Sequence, residues 1–432
     1  MTARAPAQTQ TPQTQNLPSF KYRPVFLAGL RNIFSWWRAD SETKEMLSIA
    51  LLAKNSVVLL SGTYGVGKST FIESVMKVFF SDIYEQQVKP IARIRDTLTE
   101  FDILLYIDIA KLRQGIEHVE PRPIVTSPFK FFNELQRGNP RLYNALLSLF
   151  AEKEVEYRGR VFKSKPFVAF ADRNPHDVSS HEIPKALWDR IDAHLYIRVL
   201  DITETYELLT SKYVKTHTPR IVDALPKLLT SDKMLEIWDD VDKVVVPEAI
   251  TLFLSLIAGS FTCAHVDRSV TEPRFRLPCD NCPYKGELCF KVREVWGTRW
   301  AESTIKFAKA RAWLYGRPMV QLDDVLFVLP YTLNHRLVLR PEIESAYPNK
   351  IEFVKKEVIE KAIKVKKDIW IRAIKAYLAA LKGDENAKRE LEHLAERDVV
   401  VLKLYRKLKE ETEQHQNGFE KLLLSVGGGA NE

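Results

Sequence analysis

Residues 56 to 70 read Ser56-Val57-Val58-Leu59-Leu60-Ser61-Gly62-Thr63-Tyr64-Gly65-Val66-Gly67-Lys68-Ser69-Thr70. The apolar run Val57 to Leu60, the glycine-punctuated turn and the helical spacing of Phe71, Ile72, Val75 and Val78 predict strand, loop and helix in that order. The turn completes the pattern G-x-x-x-x-G-K-S. Such glycines let successive backbone N–H groups curl around an anion, while the lysine reaches outer phosphates and the serine hydroxyl ligates Mg²⁺. ATP and Mg²⁺ are therefore the expected ligands, held by Gly62, Thr63, Tyr64, Gly65, Val66, Gly67, Lys68, Ser69 and Thr70, with Ser69 on the metal.

Working outward, the 432 residues are 45% hydrophobic and 28% charged, enough for two or three domains with ordinary cores. No apolar run approaches a membrane span and the start lacks a secretory pattern, so a soluble, cytoplasmic protein is expected. A net charge of +8 from 64 basic and 56 acidic residues is spread along the chain and is weak support for nucleic acid. Residues 1–20, rich in Thr, Gln, Pro and Ala, are expected to form a disordered tail. Two helices are predicted between Tyr22 and Lys54, the segment Ile33 to Trp37 reading as packed rather than membrane-touching. Strand-like runs follow at Ile91 to Ile94, Ile103 to Ile109, Phe129 to Phe132, Phe167 to Ala171 and Leu195 to Val199, with a helix at Pro140 to Lys153 and a hairpin turning at Gly159. Alternation of strands with helices predicts an α/β parallel-sheet core with its ligand at the strands' carboxyl ends. The strand ending at Asn133-Glu134 is where such an ATPase places its Mg²⁺ and water-activating groups. Glu134 fits the general base, and Asn133 stands where an Asp usually supports the metal.

Several motifs in order carry a family resemblance. Phe132-Asn133-Glu134-Leu135-Gln136-Arg137, Leu146 to Glu152, the hairpin, Phe167 to Pro175 and Leu187-Trp188-Asp189-Arg190 resemble the D-E-I-N-R, L-L-E-A-M-E, A-T-Q-N-P and L-D-R-F segments of MoxR-family AAA+ ATPases. Downstream, Gln321 to Val325 and His335 to Leu339 resemble that family's V-T-P-D-D-V and H-R-L-V-L lid sequence. The resemblance, over about residues 45 to 340, implies a P-loop AAA+ core at 21–203, an all-α lid at 204–340 and a helical C-terminal extension at 341–432. It implies Asn174 as the sensor positioning water or γ-phosphate, Arg190 as the finger reaching a neighbour's nucleotide, and Arg299 as the lid sensor. It also implies a homo-oligomeric ring, a hexamer, remodelling a client that in this family often bears a von Willebrand factor A domain. The uncharged Asn133 predicts weaker Mg²⁺ binding and slow turnover, with an ATP-binding switch as the alternative and a nucleic-acid-dependent motor as a third class.

All four cysteines, Cys263, Cys279, Cys282 and Cys289, cluster in an insert within the expected lid. C-x₂-C with two further cysteines suits a four-thiolate site, a [4Fe–4S] cluster or Zn²⁺, with His265 able to replace one ligand. Past Glu342 a lysine-rich helical stretch carries the stripe Trp370, Ile374, Tyr377 and Leu381, read as packing rather than as a nucleic-acid surface.

Overall fold

The computed structural model describes residues 17–177, 182–210, 213, 221–262 and 286–414. Two compact units divide the chain. The first takes residues up to Val246 together with Thr298–Thr332, and the second takes Pro247–Gly297 and Leu333 onward.

The first unit is built on a five-stranded sheet of β1 (Ser56–Ser61), β2 (Ile91–Arg93), β3 (Phe129–Asn133), β4 (Val168–Arg173) and β5 (Ala193–Tyr196). Their spatial order is β2-β3-β4-β1-β5, and every pairing is parallel. β1 is buried along its whole length, which its unbroken apolar run requires of a central strand covered on both faces. Strand order reverses at β1, with β2 to β4 on one side and β5 on the other, so the crevice at its carboxyl end is the usual ligand position of an open α/β sheet. Helices α1 (Arg23–Trp36) and α2 (Ser41–Leu52) precede β1, and α3 (Lys68–Phe79) follows it. α1 lies on α3 through stacked Phe26 and Phe79, 4.8 Å between ring centroids, and Trp37 packs on Phe71 at 5.0 Å. Ile33 and Trp37 are thus core residues. α4 (Pro140–Ala151) starts where the Asn139 side chain accepts from Leu142 N at 3.0 Å, and it buries Leu142, Leu146, Leu149 and Phe150 as its spacing predicts.

The run Ile103 to Ile109 is not a core strand. A capping box from Thr99 and Asp102 starts a helical turn at Glu100–Ile103, and Asp108 caps another at Ile109–Leu112. Only Leu105–Ile107 stays extended, paired antiparallel with Val119–Pro121 outside the main sheet. Cap chemistry at both ends outweighs the apolar run between them. The hairpin forms as expected, Glu154–Tyr157 against Arg160–Lys163, with Gly159 at φ 76° in the turn.

Helix α5 (Lys185–Trp188) leads into β5. α6 (Ser231–Asp242), α7 (Arg299–Leu314) and α8 (Leu322–Leu333) complete the helical layers of this unit. α7 buries Trp300, Phe307 and Trp313, and the Trp313 indole donates to Asp240 Oδ2 at 2.8 Å.

The second unit is largely helical. Helices Glu248–Phe261, Lys364–Ala380, Glu385–Ala395 and Val399–Gln414 accompany a small antiparallel pair, Val292–Val295 with Leu337–Leu339. Trp370, Ile374 and Tyr377 bury, Trp370 meeting Phe253 edge-on at 5.6 Å, whereas Leu381 stays 49% exposed. Lysines of the basic stretch find carboxylates: Lys361 binds Glu357 at 2.6 Å and Lys366 binds Glu287 at 2.8 Å. Among the described residues no helix is long and apolar enough to cross a membrane.

Candidate nucleotide site

The loop from β1 to α3 has the conformation that its glycines permit. Gly65 and Gly67 take φ values of 79° and 85°, in the left-handed region where a side chain is strained. A Cβ at Gly62 would stand 2.6 Å from the carbonyl oxygen of Ile197, so that glycine allows the loop to press against the end of β5. Gly67 caps α3, placing Lys68 and Ser69 on its first turn, where N–H groups remain unpaired by the helix. Lys68 is 8% exposed, and its Nζ donates to Gly62 O at 2.6 Å and Thr63 O at 3.1 Å. Burial pushes its pKa down, against the opposing charges of Asp172 and Glu134. Ser69 is exposed on that turn. Trp37 closes the loop from behind, its indole donating to Gly67 O at 2.9 Å.

β3 delivers the second group. Its last residue, Asn133, donates from Nδ2 to Asp172 Oδ1 at 3.0 Å, and the next, Glu134, sits in the left-handed region at φ 60°. This strained turn aims Glu134 N at the same Asp172 oxygen, 2.7 Å away. The Glu134 carboxylate is held by Arg137 Nη1 at 3.0 Å. Arg137 also donates to Asp177 at 2.8 Å and to the Tyr64 hydroxyl at 3.3 Å. Arg137, quoted in the motif without a role of its own, ties the expected base to the phosphate loop in the fold.

β4 delivers the third. Its register with β1 sets Leu60 opposite Asp172. Asp172 is 5% exposed, 4.0 Å from Lys68 Nζ through Oδ2. Burial raises its pKa, partly offset by the Glu134 amide, the Lys68 charge and the Asn133 amide. Two residues on, Asn174 is buried at the edge of a cleft lined by Gln136, Arg173 and Trp188, its Oδ1 accepting from His176 N at 3.1 Å. Phosphate loop, Asn133, Glu134 and Asn174 therefore meet at the carboxyl ends of three adjacent strands. The donors there, a hydroxyl, a carboxamide and carboxylates, are all oxygen and suit Mg²⁺. Asp172 went unrecognised in the sequence. Its signal was an acid closing an otherwise apolar strand just ahead of Asn174.

Arg190 and Arg299 lie together in a second group. Arg299, at the start of α7, pairs with Asp189. Asp192 accepts from Val57 N, Ser303 Oγ and Lys306 Nζ, each at 2.9 Å. Both acids beside Arg190 are thereby occupied, and Arg190 has no carboxylate partner among the described residues. Its Nη1 donates to Ala186 O at 2.9 Å, and its buried Nε has no hydrogen-bond partner among the described residues. Of the cysteines, Cys289 is described, half-buried in the turn Leu288–Lys291. Cys263, Cys279, Cys282 and His265 lie outside the described residues.

Residues 57–191 match the AAA domain of the dynein-related subfamily, and residues 295–357 match an AAA lid domain. The core has the AAA+ fold. A solved structure of a candidate ATPase from Cytophaga hutchinsonii superposes with a TM-score of 0.59 at 20% identity, covering 78% of this chain and 94% of that one, a likeness of fold. Beyond the AAA+ core, Protein MoxR of Paracoccus denitrificans is 25% identical over 71% of this chain and 86% of its own length. Chaperone MoxR1 of Mycobacterium tuberculosis is 26% identical over 68% of this chain and 71% of its own.

Proposed function

We propose that this chain is a MoxR-type AAA+ ATPase that binds and hydrolyses ATP at the interfaces of a ring of its own copies and uses the motion to remodel or help assemble a client protein. The observation that carries the reading is the convergence of Lys68, Glu134 and Asn174 on the carboxyl ends of β1, β3 and β4, beside a loop already wound for an anion. Lys68 exchanges the Gly62 and Thr63 carbonyls for the outer phosphates. The Glu134 carboxylate, oriented by Arg137, accepts the proton of the attacking water, and the Asn174 amide positions that water or the γ-phosphate. Ser69 would hold Mg²⁺, which would supply charge neutralisation to the nucleotide's phosphates. Arg190 acts on the neighbour's nucleotide, where a guanidinium offsets charge on the transferred phosphoryl group. Residues 204–340 serve as lid, with Arg299 as its sensor, and 341–432 as an extension.

The test is Mg²⁺-dependent phosphate release across protein concentrations. Turnover should rise with assembly, fall at least about 100-fold in Glu134→Gln, and be lost in Arg190→Ala. The uncharged Asn133 favours a second reading, an ATP-binding switch. Tight ATP binding with release no faster than in Lys68→Ala would select it. A client with a von Willebrand factor A domain remains the family's expectation. For the four cysteines we propose a structural metal clamp, to be checked by elemental analysis for iron and zinc and by visible absorption. No stoichiometric metal would reject it.

A further inference from the structure

We propose that Asp172 is the carboxylate that holds the water shell of the nucleotide's divalent cation in this site, in place of the missing acid at position 133; the inference rests on the ATP-binding reading above. P-loop ATPases hold Mg²⁺ between the loop hydroxyl and an acid ending a neighbouring strand. Here β3 ends in Asn133, which is neutral. β3 and β4 run in register, Phe132 opposite Ala171, so the following pair sets Asn133 beside Asp172, one strand nearer to β1.

Hydrogen bonding then decides which group faces the ligand. An Asn beside a carboxylate must present its N–H, and Asn133 Nδ2 does so at 3.0 Å. Both that amide and Glu134 N converge on Asp172 Oδ1. Oδ2 is left without a hydrogen bond among the described residues, facing the Lys68 ammonium at 4.0 Å. That cation is the one that must turn to the phosphates when nucleotide binds. A buried carboxylate deprived of its counter-charge is costly. A dication bound with the triphosphate would supply the charge that Lys68 withdraws, with Asp172 holding its water shell and the carboxamide of Asn133 as the clamp that orients the acid.

The experiment uses the full chain and has two readouts besides turnover: Mn²⁺ affinity by electron paramagnetic resonance in the presence of a non-hydrolysable ATP analogue, and binding of a fluorescent ATP analogue with and without metal. Asp172→Asn should weaken Mn²⁺ binding about 10- to 100-fold, as loss of outer ligand contacts does, while metal-free nucleotide binding changes less than about threefold. Asn133→Asp with Asp172→Asn, which exchanges the two side chains, should recover most of the lost metal affinity. Circular dichroism melts verify that each variant folds, and Asp172→Glu, which keeps the charge, stands in should Asp172→Asn not fold, with an expected smaller loss. Unchanged Mn²⁺ affinity in Asp172→Asn overturns the proposal. So does nucleotide binding that tightens equally with and without metal, since Asp172 would then serve only to park Lys68. A wild-type chain that binds no nucleotide would instead sink the ATP-binding reading itself, and the assignment of Asp172 with it.

Discussion

Trp37 and Arg137 are two side chains that touch the phosphate loop from outside its motif. The Trp37 indole donates to Gly67 O, the carbonyl that also receives Phe71 N at 3.0 Å as α3 begins. Any adjustment of the loop on nucleotide binding must be felt by that ring. ATP should therefore change tryptophan emission in the wild type and leave Trp37→Phe, with the other seven of its 8 tryptophans intact, nearly silent; an equal response in both would remove Trp37 from the site. Arg137 is the guanidinium that orients Glu134. Arg137→Ala should lower turnover about 10- to 100-fold, the scale of a small misplacement of a reacting group, with ATP affinity within about threefold in an equilibrium titration. The phosphate loop was legible because its chemistry lies within eight consecutive residues, Gly62 to Ser69. Asp172 was not, because its meaning comes from strand register across residues far apart in sequence.

Among elements, α7 and α8 are pinned by one acid. Asp324 is fully buried and accepts from Arg311 Nη1 at 2.9 Å, from Arg317 Nη1 at 2.7 Å and from Gln321 N at 2.8 Å. Asp324→Asn keeps the shape but takes the charge from Arg317 and from one side of Arg311, whose Nε also binds Glu45 at 2.8 Å, and should cost about 3 kcal/mol in urea unfolding; a loss below about 1 kcal/mol would show that Glu45 and water suffice. In the second unit, burial would raise the pKa of Glu357, yet donation from Lys291, Lys361 and Tyr347 holds it down at about 2 against an ordinary 4.5. A folded pKa below the unfolded one stabilises above the unfolded value and ceases to do so as pH falls from 4.5 through 2. Glu357→Gln should therefore lower the urea midpoint at pH 7 and differ from wild type progressively less toward pH 3. The helices around these acids were readable from apolar spacing. The run Ile103 to Ile109 was misread because cap residues at its edges, not its hydrophobicity, set the backbone.

At the scale of the whole molecule, the proposal of Arg190 as a finger comes from motif order alone, since its local sequence offers two tempting acids. The fold gives Asp189 to Arg299 and Asp192 to α7, and Arg190 has no carboxylate partner among the described residues, as the proposed finger requires. The proposed ring, with fingers acting in trans, makes a specific demand of mixtures. Arg190→Ala and Lys68→Ala subunits, each inactive alone, should regain part of the turnover when mixed, because a Lys68→Ala subunit still lends its arginine. No recovery despite co-assembly by analytical ultracentrifugation would place Arg190 in its own subunit's chemistry.

The first unit is discontinuous: Pro247–Gly297 interrupts it before Thr298–Thr332 returns to fill it with Trp300, Phe307 and Trp313. The consequence is one of timing on the ribosome. At about 5–20 residues per second, the 51 residues from Pro247 to Gly297 hold the sheet and its phosphate loop without their last helical cover for roughly 3–10 s. During that interval the surface of α2 and α6 that α7 will occupy is exposed apolar area, and the nascent chain has an incentive to find a holdase before it finds its own C-terminal half.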